Sequence, residues 1–442
     1  MRSGGYTAKN AVGLEVDYDA KTLTRTQEAN TLSMGADFNI YPMYGGRKRC
    51  NVLDDGTITA FYGDPSYTED GSNGQVMVYQ PKFYYQRIPI TTTYNTVGKI
   101  VHHDSFVISA VEQSGFKLHP LFITPEGETL EYVLLSAYEG SVYDVSENAY
   151  TSHTATNIDF DNDKLTSISG TKPVSGLSGL NLQRAEQLAQ NRGEGWHIHT
   201  IVSESANQLL EIIEFGSMNG QASLGRGVCD LTVTGNHNQA AITGATSSLG
   251  NNSGQASFTT LENQGNITVG TEEGKLSISY RGVENPWGNV WQMLNGITIY
   301  GTVTTDGGIP HICTNYNYSY DNLNSDYISA GFSLPNSSNW LTSLGFGSKD
   351  FDWLLMPATT SNSANSALPI GDNGWFVGNL SGIKAVVHGG GWSFKDSDGL
   401  FYYGCDVAPN DTTQKSYGAR LLYIPTKNAI YTANIAKWQE AN

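Results

Sequence analysis

Short runs of alternating apolar and polar residues dominate the first 115 positions. "AVGLEVDYDA" (11–20), "TITAFYG" (57–63) and "QVMVYQPKFYYQRIPITTTY" (75–94) are rich in β-branched and aromatic side chains, which predicts strands. Pro81 has no amide proton to give a neighbour, so it predicts an edge strand or a bulge within the last run. "FKLHPLFI" (116–123) and "EYVLLSAYEG" (131–140) predict further strands. Two segments switch to the helical period. In "NLQRAEQLAQNRG" (181–193), Asn181 is the expected N-cap, Leu182, Ala185, Leu188 and Ala189 form an apolar stripe, and Gly193 ends the helix. In "SESANQLLEIIEFG" (203–216), Ser203 is the expected cap and Ala206, Leu209, Leu210, Ile213 and Phe215 the buried face. Gly216 is the stop. "GEGWHIHTI" joins the two helices.

Beyond residue 217 the helical period disappears. Ser/Thr/Asn/Gly-rich tracts (231–272 and 357–374) alternate with short aromatic strands, "GARLLYIP" (418–425) reads as a closing strand, and a polar tail follows. There is no internal repeat. Long irregular tracts in a compact domain are usually binding loops.

Composition narrows the class. Of 442 residues, 39% are hydrophobic and only 15% charged, with 49 Gly and 25 Tyr. That profile suits a loop-rich, mostly β extracellular or virion protein better than a helical cytosolic enzyme. A net charge of −17 disfavours nucleic-acid binding, which needs a basic face. Cys50, Cys229, Cys313 and Cys405 lie far apart, so neither a zinc site of close pairs nor a dense disulfide framework is expected. No run approaches the roughly 18 apolar residues of a membrane span, and no secretory leader is expected from "MRSGGYTAKN".

Local motifs are read chemically. In "NPWGNVWQMLNGI" (285–297), Trp287 and Trp291 are expected to be core anchors, with Asn289 bonding to local backbone. His197 and His199 have a spacing that suits a metal but lack a third ligand nearby. Asp159, Asp161 and Asp163 resemble the odd positions of a calcium loop. Lys164 and Gly170 occupy the places where an EF-hand has Gly and Glu, so a solvated acidic turn and no cofactor are expected, with a non-EF calcium site as the alternative. Signatures of serine hydrolases, P-loop proteins, zinc peptidases and dinucleotide binders are absent, so an enzyme is not expected.

The stretch "GGGWSFKDSDGLFYYGCDVAPNDTTQKSYGARLLY" (389–423) joins constrained ends to a filling without period. The order helix, "RGEGWHI", helix, "NPWGNVWQMLNG", "GGGW", "GARLLY" resembles the C-type-lectin-like fold in its formylglycine-generating-enzyme branch. The matching residues are 288–291, 389–392 and 418–421, and the resemblance spans roughly 116–425. The copper-holding cysteine pair of those enzymes is not matched, since the nearest cysteine to Cys405 is Cys313. More closely, the chain resembles the variable proteins of diversity-generating retroelements, found in phage tail tips and bacterial surface adhesins. It keeps their Gly389, Gly390, Trp392, Gly399, Leu400, Phe401, Ala408, Pro409 and 418–423.

The resemblance implies an α+β C-type-lectin-like fold with two helices and short irregular strands over 116–442. A β-rich attachment or oligomerisation region (1–115) would precede it, and about 389–423 would be the variable region. It further implies a phage receptor-binding adhesin in the virion, extracellular after release. The implied partners are a host surface protein or glycan and other tail proteins, in a homotrimer without membrane insertion. The implied ligand-binding residues are Phe394, Asp396, Asp398, Tyr402, Tyr403, Gly404, Cys405, Asp406, Val407, Asn410, Asp411, Thr413, Ser416 and Tyr417. In that family adenines are mutagenised. An asparagine codon so changed reaches Phe394, Asp398, Tyr403, Gly404, Cys405, Asp406, Val407, Asp411 and Thr413 but not Lys395, Gln414 or Lys415. Arg420, inside the closing motif, is expected to be a buried, paired frame residue. The alternatives are a virion glycan depolymerase, which needs a carboxylate pair in a cleft, and a non-catalytic structural or decoration protein of the tail.

Overall fold

The computed structural model describes residues 10–426 apart from 96, 152–156, 233–236, 263–265, 270, 303–305 and 366–368. The first nine residues and the polar tail therefore lie outside the described residues. The structure is 37% strand and 14% helix, with four α-helices among the described residues. This overturns the expected α+β lectin-like fold with two helices: large sheets carry the architecture. The two long helices form as the sequence indicates, over Leu182–Gln190 and Ile201–Phe215; the others are the single turns Pro42–Gly45 and Gly220–Ser223. The discrepancy lies in tracts where Gly, Ser, Thr and Asn dilute the apolar alternation. Ser337–Phe346, Asn373–Val377 and Ser381–His388 are strands because distant segments pair with them.

The larger sheet has fourteen strands. Its main path runs Thr22–Gln27, Ala11–Asp17, Lys99–Ser109, Ser337–Phe346, Asn373–Val377, Tyr403–Val407, Ser381–His388, Trp291–Thr302, Ile309–Ile312, Ile328–Ser329. A six-stranded sheet runs Trp196–Ile198, Leu421–Tyr423, Tyr132–Ser136, Gln75–Pro81, Lys48–Val52, Ile58–Phe61. Strands on either side of residue 115 pair directly, Met77 with Ser136 in one sheet and Ile100 with Gly345 in the other. The expected boundary at 115/116 thus crosses two shared sheets. Buried Arg87 adds to the link: it pairs with Asp104 at 2.6 Å and donates to the carbonyls of Leu354 and Gly345. Pro81 ends its strand and a new one starts at Tyr84, so the long apolar run is two strands.

Helix Ile201–Phe215 is buried on every side through residue 214, far beyond the apolar stripe read from its sequence. Its cap is Thr200 and not Ser203. The Thr200 hydroxyl accepts from the Ser203 amide (3.1 Å) and the Ser203 hydroxyl accepts from the Thr200 amide (2.9 Å), a reciprocal capping box. Gly216 ends the helix at φ 63°, as expected. Of the helix's buried acids, Glu211 has no hydrogen-bond partner among the described residues, whereas Glu214 is fully engaged. Glu214 accepts from Arg281 through both oxygens (2.7 Å each), from the Tyr280 hydroxyl (2.8 Å) and from the Gly35 amide (3.0 Å).

The tryptophan-bearing turn is held from below by another buried acid. Glu139 accepts from Asn289, Asn285 (3.2 Å), the Val290 amide (3.3 Å) and Gln292 (3.3 Å), with Arg420 3.9 Å away. Asn285 and Asn289 adopt φ 47° and 60°, a region asparagine tolerates. Arg420 is buried as expected and donates to the carbonyls of Glu284 (2.5 Å) and Asn285 (2.6 Å). Burial pushes the Glu139 carboxyl up to about 7, opposed by Arg420 and Asn289. Because the folded value lies above the unfolded one, this group's contribution to stability is full below about pH 4.5 and is lost as pH rises through about 7. Relative to Glu139→Gln, the wild-type chain should lose on the order of 3 kcal/mol between pH 4.5 and 8, measured by denaturant unfolding. Parallel pH profiles for the two proteins would contradict this.

Candidate functional site

Residues 389–423 are woven into both sheets. Tyr403–Val407 lies between Ser381–His388 and Asn373–Val377. Tyr417–Gly418 runs parallel to Trp291, and Leu421–Tyr423 is clamped between Trp196–Ile198 and Tyr132–Ser136. Gly390, at φ 84°, would place a side-chain carbon 1.9 Å from the Asp398 carboxylate, so only glycine fits that turn. The loop that follows is pinned by backbone: Trp392 N–H to Asn289 O (3.0 Å), Leu231 N–H to Trp392 O (2.7 Å) and Lys395 N–H to Cys229 O (2.8 Å). Trp392 is buried in a separate apolar cluster with Val228, Val290 and Phe258.

Strand period then sorts the filling. Tyr403 (0% exposed) and Cys405 (1%) point into the main core, where Gln208 donates to the Tyr403 hydroxyl at 2.7 Å. Tyr402 and Gly404 fall on the opposite face, around Trp291, and Asp406 turns toward Trp375. Tyr402 packs on Trp291 at 4.5 Å between ring centroids, Phe394 at 5.4 Å and Tyr417 at 6.3 Å; Phe394 lies 6.2 Å from Tyr402. Gly404 sits under this cluster, where a side-chain carbon added to it would lie 3.7 Å from the Trp291 ring.

Of the fourteen sequence-derived candidates, Phe394, Asp396, Asn410 and Thr413 are exposed, and Asp406, Val407, Asp411, Ser416 and Tyr417 are partly exposed. Asp398, Tyr402, Tyr403, Gly404 and Cys405 are buried. The last five lie beneath the surface of the window. The inward turn of Tyr403 and Cys405 follows from strand alternation, and Asp398 is drawn under the glycine turn. Burial raises the Asp398 and Asp372 carboxyls well above the usual range, and it raises the Cys405 thiol, which leaves that thiol protonated. Asp396 is held by Arg226 at 2.6 Å.

Sequence reasoning missed Trp375. It stands opposite Gly404 in register, is 50% exposed, and donates through Nε1 to Asp406 at 3.0 Å. The signal was present in "NGWFV" (373–377), where Gly374 and Phe376 turn in and Trp375 and Val377 turn out. The Ser/Thr/Asn-rich surroundings hid that alternation. The resulting face combines Phe394, Tyr417 and Trp375 with Asp406 and Asp411, whose negative charges both act on the Tyr417 hydroxyl. Rigid aromatic rings beside hydrogen-bonding groups suit recognition of another molecule.

The histidine and aspartate motifs resolve differently. His199 and His197 turn to separate carboxylates, Glu204 (2.9 Å) and Glu186 (2.7 Å). Among the described residues, no three His, Cys, Asp or Glu converge in a manner suited to a metal. Asp159 and Asp163 are engaged by amides and the Asn162 side chain of their own turn and by Val145 N–H. Ser203, His199 and Glu204 have the spacing of a hydrolytic triad, with Ser203 Oγ 3.0 Å from His199 Nδ1. Ser203 is 0% exposed, however, and its hydroxyl serves the helix cap.

No known family and no curated protein matches the chain. Solved structures similar to it include two variants of the Major Tropism Determinant. One is the Major Tropism Determinant P3c Variant, with 14% identity over 89% of this chain and 73% of that one, at a TM-score of 0.28. The other is the Major Tropism Determinant U1 Variant, with 12% identity over the same shares and the same TM-score. At this TM-score the folds are far from superposable.

Proposed function

We propose that this chain is a phage receptor-binding adhesin. It would act by holding a host surface protein or glycan on the face formed by Phe394, Trp375, Tyr417, Asp406 and Asp411, with Asn410 and Thr413 at its margin. The observation that supports this reading is the division within residues 389–423. One set of side chains is locked into two sheets, and another gathers on one face around Trp291. A frame of that kind tolerates exchange of its outward residues, each costing within about 0.5 kcal/mol. The reading extends to diversification of those outward positions by a retroelement, to a homotrimer and to a place in the virion tail.

The test is exchange of specificity. Purified chain is labelled and bound to host cells. Then Phe394, Asp406, Asn410, Asp411 and Thr413 are replaced together by other residues reachable from an asparagine codon. The set of strains bound should change while the melting temperature stays within a few degrees. Unchanged strain preference would refute the assignment of the face. A copy of this window in neighbouring DNA, differing at adenines, would support the retroelement, and its absence would remove that part. Light scattering of the purified chain decides the trimer.

A further inference from the structure

A groove of about 290 Å³ opens on a part of the surface that uses none of residues 389–423. That volume lies near the lower end for small-molecule sites, enough for one ring or a short side chain. Its walls come from three rigid places. Glu126 stands on the turn closed by Gly127 N–H to Thr124 O (2.8 Å) and Thr124 N–H to Glu128 O (2.9 Å). Glu194 stands in the turn after helix Leu182–Gln190, and that turn is tied to the residue following strand Leu421–Tyr423 by Ile424 N–H to Gly195 O (2.9 Å). His197 and Tyr316 form the third wall, stacked at 4.5 Å between ring centroids.

Two features set this groove apart from an ordinary surface dip. The His197 ring is oriented from behind, Nδ1 lying 2.7 Å from Glu186. Glu186 is held in turn by the Ile198 amide (3.0 Å) and Asn295 (2.9 Å). No described residue bonds to His197 Nε2, on the other side of the ring. Tyr316 adopts φ 63°, a left-handed conformation that is strained for a residue with a bulky side chain. The strained backbone belongs to "TNYNYSYDNLNSDY" (314–327), where Asn315 (2.8 Å) and Asn317 (2.5 Å) both donate to Asp326. Tyr, Asn and Ser on a braced loop make up the composition of recognition loops.

The charge of the lining selects the ligand. Glu126 and Glu194 have no ion-pair partner among the described residues, and no lysine or arginine is among the described lining residues. The whole chain carries −17, so its field also favours cations. We infer that this groove is a second binding site, for a primary ammonium group on a small body, with Glu126 and Glu194 facing the charge and the Tyr316–His197 stack facing the body. An amino sugar and a lysine side chain both carry that chemistry.

The full chain is titrated by calorimetry with glucosamine and with Nα-acetyl-lysine amide, using glucose and N-acetylglucosamine as uncharged controls. At least one amine should bind with a dissociation constant on the order of 1 mM, and the uncharged sugars at least tenfold more weakly. The tighter amine identifies the source. Glu126→Gln with Glu194→Gln should weaken it about tenfold, and about 0.5 M salt should do the same. Tyr316→Gly removes the ring and should weaken binding; since that ring also packs on the core, binding is compared per folded molecule. Phe394→Ala should leave amine binding unchanged, which separates this site from the proposed adhesin face. The inference is overturned if N-acetylglucosamine binds as tightly as glucosamine, if neither amine binds, or if the double glutamine variant binds unchanged.

Discussion

Glu214→Ala is expected to destabilise the chain by about 3–5 kcal/mol, because it strands a buried guanidinium. Glu214 and Arg281 are both almost fully buried, with side chains 1% and 7% exposed. Arg281 reaches beyond Glu214 to Asn39 (2.7 Å) and to the carbonyls of Tyr44 (3.2 Å) and Gly35 (2.9 Å). One ion pair therefore fastens the end of the central helix, the segment 35–44 and the turn at 281. Removing the acid leaves the cation in the core, while removing the cation leaves the acid. Arg281→Ala should cost a similar amount, and the double variant much less than the sum of the two. The measurement is a double-mutant cycle by denaturant unfolding. Strictly additive effects, or losses below about 1 kcal/mol, would show that this pair does not hold the three elements together.

The second large effect separates the face from its frame. Phe394→Ala and Trp375→Ala should each weaken attachment to susceptible cells about 30-fold or more, the effect of removing an aromatic anchor worth about 2 kcal/mol. Phe394 is 36% and Trp375 50% exposed, so neither change should move the melting temperature appreciably. Tyr403→Ala should behave in the opposite way. It opens a cavity against Gln208 and His388 and should cost about 3–5 kcal/mol of stability. Any loss of attachment there should follow the loss of folded protein. Normal attachment by both Phe394→Ala and Trp375→Ala would exclude this face as the site of contact.

The two long helices were legible because each repeats a local period and ends at a residue suited to stopping it. The strands at 11–17, 58–61, 75–81, 84–94 and 132–136 were legible by alternation, but those at 22–27, 48–52 and 99–109 were not, and "FKLHPLFI" gives a strand only at 117–118 before a 3-10 turn at 120–122. The cap of the central helix was misplaced by three positions because Thr200 and Ser203 both satisfy cap chemistry, and only the reciprocal bonds distinguish them. The large sheet was not legible. Its strands at 337–346 and 373–377 are not singled out by local pattern, and their pairing with residues 99–109 and 403–407 is decided by tertiary contacts. Within the candidate site, the window itself was legible, but its sidedness was not drawn out. Applying period two from Tyr402 would have set Tyr403 and Cys405 apart from Tyr402, Gly404 and Asp406. Trp375 and the groove at His197 depend on parts of the chain distant in sequence, and no local pattern reports them.

The weaving of residues 389–423 into both sheets has a consequence for protein engineering. A library randomised at all fourteen sequence-derived positions would spend most of its members on broken cores, since five of those positions are buried. A library confined to Phe394, Asp406, Asn410, Asp411 and Thr413, with Trp375 added from outside the window, would keep nearly every member folded. The scaffold thereby offers a compact palette of replaceable positions, and burial marks where that palette ends.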